Sequence, residues 1–359
     1  MLKNKRIFAA LLIVFSVLTL GMGSAKDAVK EQDVKILWPP PPFDPRIEYV
    51  RIIETPDDIG AKKGFFKKAW EFLAGEAVEN RILKPFGITV DEKGRLYVTD
   101  TALQAVHIFD LSNEKYMIIE GTARGRFASP VGVESDRQGN IFVSDSIQKQ
   151  VYVFSAEGKY LKALPPPGEE TGFKRPTGLA VNKAAGLIYI VDTLGCKIHV
   201  YTTGGEYRFS FGERGNGDGQ FNYPTFIKVA GNGELYISDS INFRIQVFDK
   251  DGKFLFKFGR HGDGTGDMGN PRGIAIDSDK NIYVVDPLFE AFQIFDRKGD
   301  LLLVFGKPGK QPGAFMLPSG IAIDANDQIY VADTYNSRVQ VFRYLKKGKQ
   351  DIEVSDKEN

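Results

Sequence analysis

One cysteine, three histidines and two tryptophans are all that 359 residues contain of those types. With Cys196 alone there is no internal disulfide, so packing must carry the stability, and CxxCH attachment of haem is excluded. Cys196 itself reads as a small apolar loop residue. Charge of one sign is also missing: the formal net charge is +1, which removes the electrostatic footprint of a nucleic-acid binder. The apolar run at the start of the chain is short for a membrane span and fits a cleaved signal peptide better than a permanent anchor. The apolar stretch Ile7–Leu20 has 14 residues, about 21 Å as a helix against a hydrocarbon layer of about 30 Å. Lys3, Lys5 and Arg6 precede it and Gly23-Ser24-Ala25 follow, with small residues at the −3 and −1 positions of a cleavage site. Residues 1–25 are therefore expected to be a signal peptide, and the protein to be exported, periplasmic or extracellular. No cysteine follows the run to carry a lipid anchor, and removal of three cations leaves 44 − 46 = −2.

What the chain has in plenty is itself. Pro-x-Gly followed by β-branched residues recurs at Pro85, Pro130, Pro176, Pro271 and Pro318, with Phe226 in place of the glycine after Pro224. The six prolines are 45, 46, 48, 47 and 47 residues apart. Fifteen or sixteen residues after each lies an aspartate: Asp100, Asp145, Asp192, Asp239, Asp286 and Asp333. Alternating strands follow: VHIF, VYVF, IHVY, IQVF, FQIF and VQVF. Within the fourth unit, FIKV (226–229), LYIS (235–238), RIQVF (244–248) and KFLFKFG (253–259) read as strands a to d, joined by the tight-turn sequences AGNG and DKDG. Four antiparallel strands per repeat describe a propeller blade. Aromatic columns in strand b (Tyr97, Phe142, Tyr189, Tyr236, Tyr283, Tyr330) and strand c (Phe109, Phe154, Tyr201, Phe248, Phe295, Phe342) are expected to pack between blades. The sixth unit stops at Tyr344 without a strand d. RIEYVRIIE (46–54) has strand-d character and is expected to pair with Arg338–Tyr344, closing the ring.

The pattern Pro-x-Gly-Ile-Ala-Ile-Asp, Ile-Tyr-Val-x-Asp, Arg-x-Gln-Val-Phe, with links such as FGERGNGDGQFNYP (211–224) and FGKPGKQPGAFMLP (305–318), resembles NHL repeats from 85 to 345. The resemblance implies an all-β, six-bladed β-propeller. The repeats are not interchangeable: the strand-c arginine is present as Arg244 and Arg338, becomes Lys197, and is Ala105, Gln150 and Ala291 elsewhere. WPPPPFDPRIEYV (38–50) and GFFKKAWEFLAGE (64–76) also resemble a group of exported bacterial NHL proteins. The expected organisation is a Pro-rich linker at 26–45, with Pro39–Pro42 as a polyproline II spacer, a propeller at 46–345 with a helical insertion at 57–83, and a charged, disordered tail at 346–359. In 64–76, Phe66, Ala69, Trp70 and Leu73 share a helical face, which either packs on the propeller or makes peripheral membrane contact.

Catalytic constellations are scarce. His107 and His199 occupy one strand-c column two blades apart, too far to share a zinc ion, and His261 sits in a glycine-rich loop. Amidating lyases with an NHL-like fold use histidine ligands around the channel, and that set has no counterpart here. The glycine-rich links lack the GK[ST] ending of a phosphate loop, and Asp218, Asp263 and Asp267 do not have EF-hand spacing. The six strand-b aspartates read as caps of their own turns rather than a ring of free carboxylates. No cofactor and no metal site is expected.

Positions that break the repeat are more informative. The inward column of strand a carries Thr89, Glu134, Ala180, Lys228, Ala275 and Ala322, and just before the strand Arg272 stands among Phe86, Val131, Thr177, Thr225 and Ser319. Glu134, Lys228 and Arg272 are the channel candidates, because an unpaired buried charge is expensive. Two residues past each aspartate the chain places Ala102, Ile147, Leu194, Ile241, Leu288 and Tyr335, joined by Phe243 and Phe289. Such loops are normally polar. Either these side chains fold back over the blade tops, or they form an apolar contact ring around one mouth. The function expected is a monomeric protein- or peptide-binding scaffold in the cell envelope, without nucleic acid, acting through a mouth of b–c and d–a loops centred on Glu134, Lys228, Arg272 and the apolar ring; the alternative is a lyase or hydrolase working in the channel.

Overall fold

In the computed structural model the described residues are 35–346, other than 41, 62–79 and 167–171. Six antiparallel sheets follow one another along the chain, each with its strands in a, b, c, d order from the axis outward. Blade 4 shows the unit: Pro224–Val229, Leu235–Asp239, Arg244–Phe248 and Phe254–Phe258. Strand a of blade 6 (Ile321–Ile323) sits beside blade 1, where Ser319 Oγ donates to the Phe86 carbonyl at 2.8 Å. The ring is therefore closed at its axis.

It is closed at its rim as well. Ile47–Ile53 is strand d of blade 6, paired antiparallel with Arg338–Tyr344 from Ile47–Tyr344 to Ile53–Val339. A circular sheet array leaves no long unpaired edge. Leu37–Trp38 adds a fifth strand outside it, with Leu37 opposite Glu48 and Trp38 opposite Ile47. Arg46 N–H donates to the Trp38 carbonyl at 2.7 Å and Phe43 N–H to the Pro40 carbonyl at 3.3 Å. The backbone groups of Leu37 and Trp38 thereby gain ladder partners within the stretch 26–45 expected to be a linker. Of the expected helical insertion at 57–83, residues 57–61 and 80–83 are described, and the first of these stretches overlaps a 3-10 turn at Pro56–Ile59. The segment 64–76, the expected signal peptide at 1–25 and the expected tail beyond 346 lie outside the described residues.

Packing between blades follows the aromatic columns. Six apolar clusters form, each drawn mainly from two consecutive blades, the last joining blade 6 to blade 1. A strand-d ring of one blade meets the strand-c ring of the next: Phe211 with Phe248 at 5.1 Å, Phe258 with Phe295 at 5.2 Å, and Phe305 with Phe342 at 5.0 Å. These separations are those at which aromatic pairs attract beyond their area burial.

Candidate binding face

The strand-b aspartates build one face of the ring, the upper face, where the b–c loops and the d–a links meet. Asp145 accepts from the N–H groups of Ala128 (2.6 Å) and Ser129 (3.1 Å) in the incoming link, and of Ile147 (3.1 Å) and Gln148 (2.8 Å) in its own loop. Asp100 does the same with Leu83, Lys84, Ala102 and Leu103. In blades 4 and 6 the guanidinium groups of Arg244 and Arg338 take part of the carboxylate instead, at 2.9 and 2.7 Å. Burial works against the Asp100 and Asp192 carboxylates, but a histidine and several backbone N–H groups outweigh it and hold both below the usual range. All six are buried and occupied, so they are staples rather than a carboxylate ring.

The stapled loops turn their apolar residues outward. Ile147, Leu194, Ile241, Leu288 and Tyr335 are 42% to 67% exposed, and Ala102 is exposed too. Once the aspartate holds the loop backbone down on two sides, the residue two positions on has no core to reach. Phe243 and Phe289 are half-buried below the ring, with Phe243 against the His261 imidazole at 4.2 Å and Phe289 near Gly269.

On the axis, the three channel candidates separate into two levels. Arg272 follows Pro271 at the upper end, its guanidinium carbon 5.6 Å from the centre of the Phe86 ring, and burial lowers its pKa. Glu134 pairs with Phe142 and Lys228 with Tyr236, each near the start of strand b and thus toward the lower face. Between the levels lies a belt of strand-a glycines, where a Cβ would strike the neighbouring blade's backbone. Blade 4 has Phe226 at that position, and its ring stacks on Phe86 of the opposite blade at 5.7 Å and 27°. The cavity beneath, lined by Glu134, Lys228 and Phe226, measures about 30 Å³, room for one water. Burial raises the Glu134 carboxyl above its ordinary value, against the opposing pull of Lys228 and Lys183. Lys228 also borders a second, 520 Å³ hollow on the lower side with Ser278, Lys280 and Arg297. The single mouth expected for all of them is therefore not what the fold builds: the apolar ring and Arg272 belong to one mouth, and Glu134 with Lys228, further along strand a, to the other end.

The remaining titratable candidates are dispersed. His107 Nδ1 is 2.8 Å from the Tyr116 hydroxyl, and Nε2 is 3.5 Å from Asp100 of its own blade. His199 is buried beside Asp192, its Nε2 at 3.7 Å. Asp218 pairs with Lys257 and Asp267 with Arg260. Among the described residues no three His, Cys, Asp or Glu side chains come together as a metal site. Sequence reasoning overlooked Lys84, Arg175 and Tyr223, which occupy the column immediately before the repeat proline and line the upper mouth; comparing that column across the six units would have singled them out.

Comparison with known proteins agrees with this architecture. A family model described as a 6-bladed beta-propeller matches residues 131–210 and 216–292, and the NHL repeat model matches 315–342. No curated protein matches the chain. Among solved structures, virginiamycin B lyase from Staphylococcus aureus, in an inactive form with quinupristin, is 17% identical with a TM-score of 0.54, covering 74% of this chain and 97% of its own. A protein of unknown function from Bacteroides thetaiotaomicron is 15% identical with a TM-score of 0.59, covering 83% and 75%. The nidogen/laminin complex contributes a chain at 18% identity and a TM-score of 0.53, covering 71% and 89%. At these identities the likeness is one of fold. With its repeats, closed ring and family matches taken together, the chain is an NHL-repeat six-bladed β-propeller.

Proposed function

We propose that this propeller is an exported binding scaffold that holds a protein or peptide of the cell envelope on its upper face. The observation that carries the reading is the set of five large apolar side chains, one on each of five b–c loops, held outward by stapled backbones. Single exposed apolar residues are ordinary; a recurrent one at the same position around a mouth is a contact surface. The Phe86–Phe226 stack favours a ligand lying across the mouth over one threading the axis. Export rests on the basic start and apolar run of residues 3–20. The test is affinity capture from an envelope extract with the parent, with I147D/L288D, and with the lower-face control K280E. A species held by the parent and K280E but released by I147D/L288D supports the reading, and equal capture by all three refutes it.

A further inference from the structure

We infer that the upper mouth is an anion subsite, which takes a carboxylate of an acidic peptide whose apolar side chains rest on the surrounding loops. This deepens the binding reading above and rests on it.

Three cations stand at this face on different blades. Lys84 and Arg175 immediately precede their repeat prolines, and Arg272 immediately follows its own. All three sit on aromatic faces: Lys84 Nζ 4.6 Å from the Tyr335 ring centre, Arg175 Cζ 5.9 Å from that of Tyr223, and Arg272 Cζ 5.6 Å from that of Phe86. Arg175 Nη1 also donates to the Tyr223 hydroxyl at 2.9 Å. None is paired with a carboxylate among the described residues, unlike Arg95, Arg244, Arg297 and Arg338, whose ion-pair contacts are 2.6 to 2.9 Å. Ring faces support a cation without neutralising it. The aspartate oxygens at this face are taken up by backbone N–H groups and by Arg244 and Arg338; Asp286, which holds the N–H groups of Gly269, Asn270 and Leu288, acts on Arg272 through its charge but forms no ion pair with it.

The mouth therefore presents three cations without an ion-pair partner among the described residues, standing over strand-b aspartates that are buried and hydrogen-bonded. Arg272 is half-buried at the axis and has lost part of its hydration, so a carboxylate meeting its planar fork gains a charge-assisted pair in a partly dry site. Phe226 stacked on Phe86 makes the floor at that level. Further out come Ile147, Leu194, Ile241, Leu288 and Tyr335. Charge at the centre with apolar contacts around it matches an acidic, leucine- or phenylalanine-bearing peptide. A nucleic acid would place its phosphates against the apolar rim.

Fluorescence anisotropy with the mature protein tests this. The probes are labelled Leu-Glu-Leu-Asp-Phe with a free C-terminus, the same peptide amidated, the neutral amide Leu-Gln-Leu-Asn-Phe, and a uridine decamer. The acidic peptides should bind at least about tenfold tighter than the neutral one, a gap that narrows with added salt. R272Q and, separately, the more peripheral K84Q/R175Q should each remove most of that gap while melting close to the parent. The free and amidated forms tell a terminal carboxylate from a side-chain one. Equal binding of acidic and neutral peptides, both lost in I241D/L288D, overturns the anion subsite and leaves the apolar ring standing. Parental affinity for the acidic peptides in I241D/L288D, with loss in R272Q, overturns the ring. Failure of every peptide to bind, parental affinity in both charge variants, or tighter binding of the decamer overturns the inference.

Discussion

Glu134 illustrates what one residue contributes when its neighbours are small. It projects into a cavity the size of a water molecule, and burial makes its ionised form costly. A carboxyl whose folded pKa lies above the unfolded value adds stability at low pH and forfeits it as pH rises through the folded value. E134Q has no charge to bury. It should melt with the parent at pH 4 and above it at pH 7, measured by thermal denaturation at both; an unchanged difference between the two pH values would count against the account. The sequence singled out Glu134 and Lys228 because they break a column of small residues, and that logic found the axis. It did not find their height along it, because a column fixes the distance from a strand's end only after the register with strand b is known. Lys84 and Arg175 were passed over for a related reason: a cation in a loop is unremarkable until the fold gathers three of them at one mouth.

At the scale of the element, strand a decides how closely the blades approach. Thr99, Ser144 and Ser238, each just before the strand-b aspartate, send a hydroxyl to the next blade's backbone, at 3.2 Å to Val131 and 2.5 Å to Thr177 for the first two, and to Arg272 for the third. The strand-a glycines make these contacts possible. A Cβ at Gly132 would fall within the Thr177 carbonyl and against Ser144 Oγ, whereas one at Gly231, in a turn of blade 4, meets nothing. G132A should cost about 1–3 kcal/mol by overpacking. G231A should be neutral or stabilise by up to about 1 kcal/mol through the unfolded chain. Urea titration of the two variants separates them, and equal midpoints would contradict the packing argument. The glycine column was legible in the sequence; that its purpose is contact between blades, and that Phe226 turns the same position into a plug, was not.

For the whole molecule, stability is a matter of closure. Among the described residues each apolar cluster lies between two blades, so removing one contact around the circle weakens both partners. Ile47 and Ile53 in the closing strand are buried, and the strand covers the edge of Arg338–Tyr344. Deleting residues 1–54 should expose that edge and unpack the junction with blade 1. The expected outcome is a lower melting temperature and self-association, followed by calorimetry and light scattering; a monomer with the parental midpoint would show that the ring does not depend on its clasp.

Repeat period, strand count, blade-to-blade aromatics and the identity of the closing strand follow from the order of residues alone. They are set by local periodicity and turn chemistry, which a chain carries wherever it is. The grouping of side chains on the upper face, the division of the axis into two levels by a phenylalanine stack, and the lack of a carboxylate partner for three mouth cations among the described residues were decided by the tertiary structure. Those properties depend on distances between residues of different blades, and such distances exist only once the ring has closed.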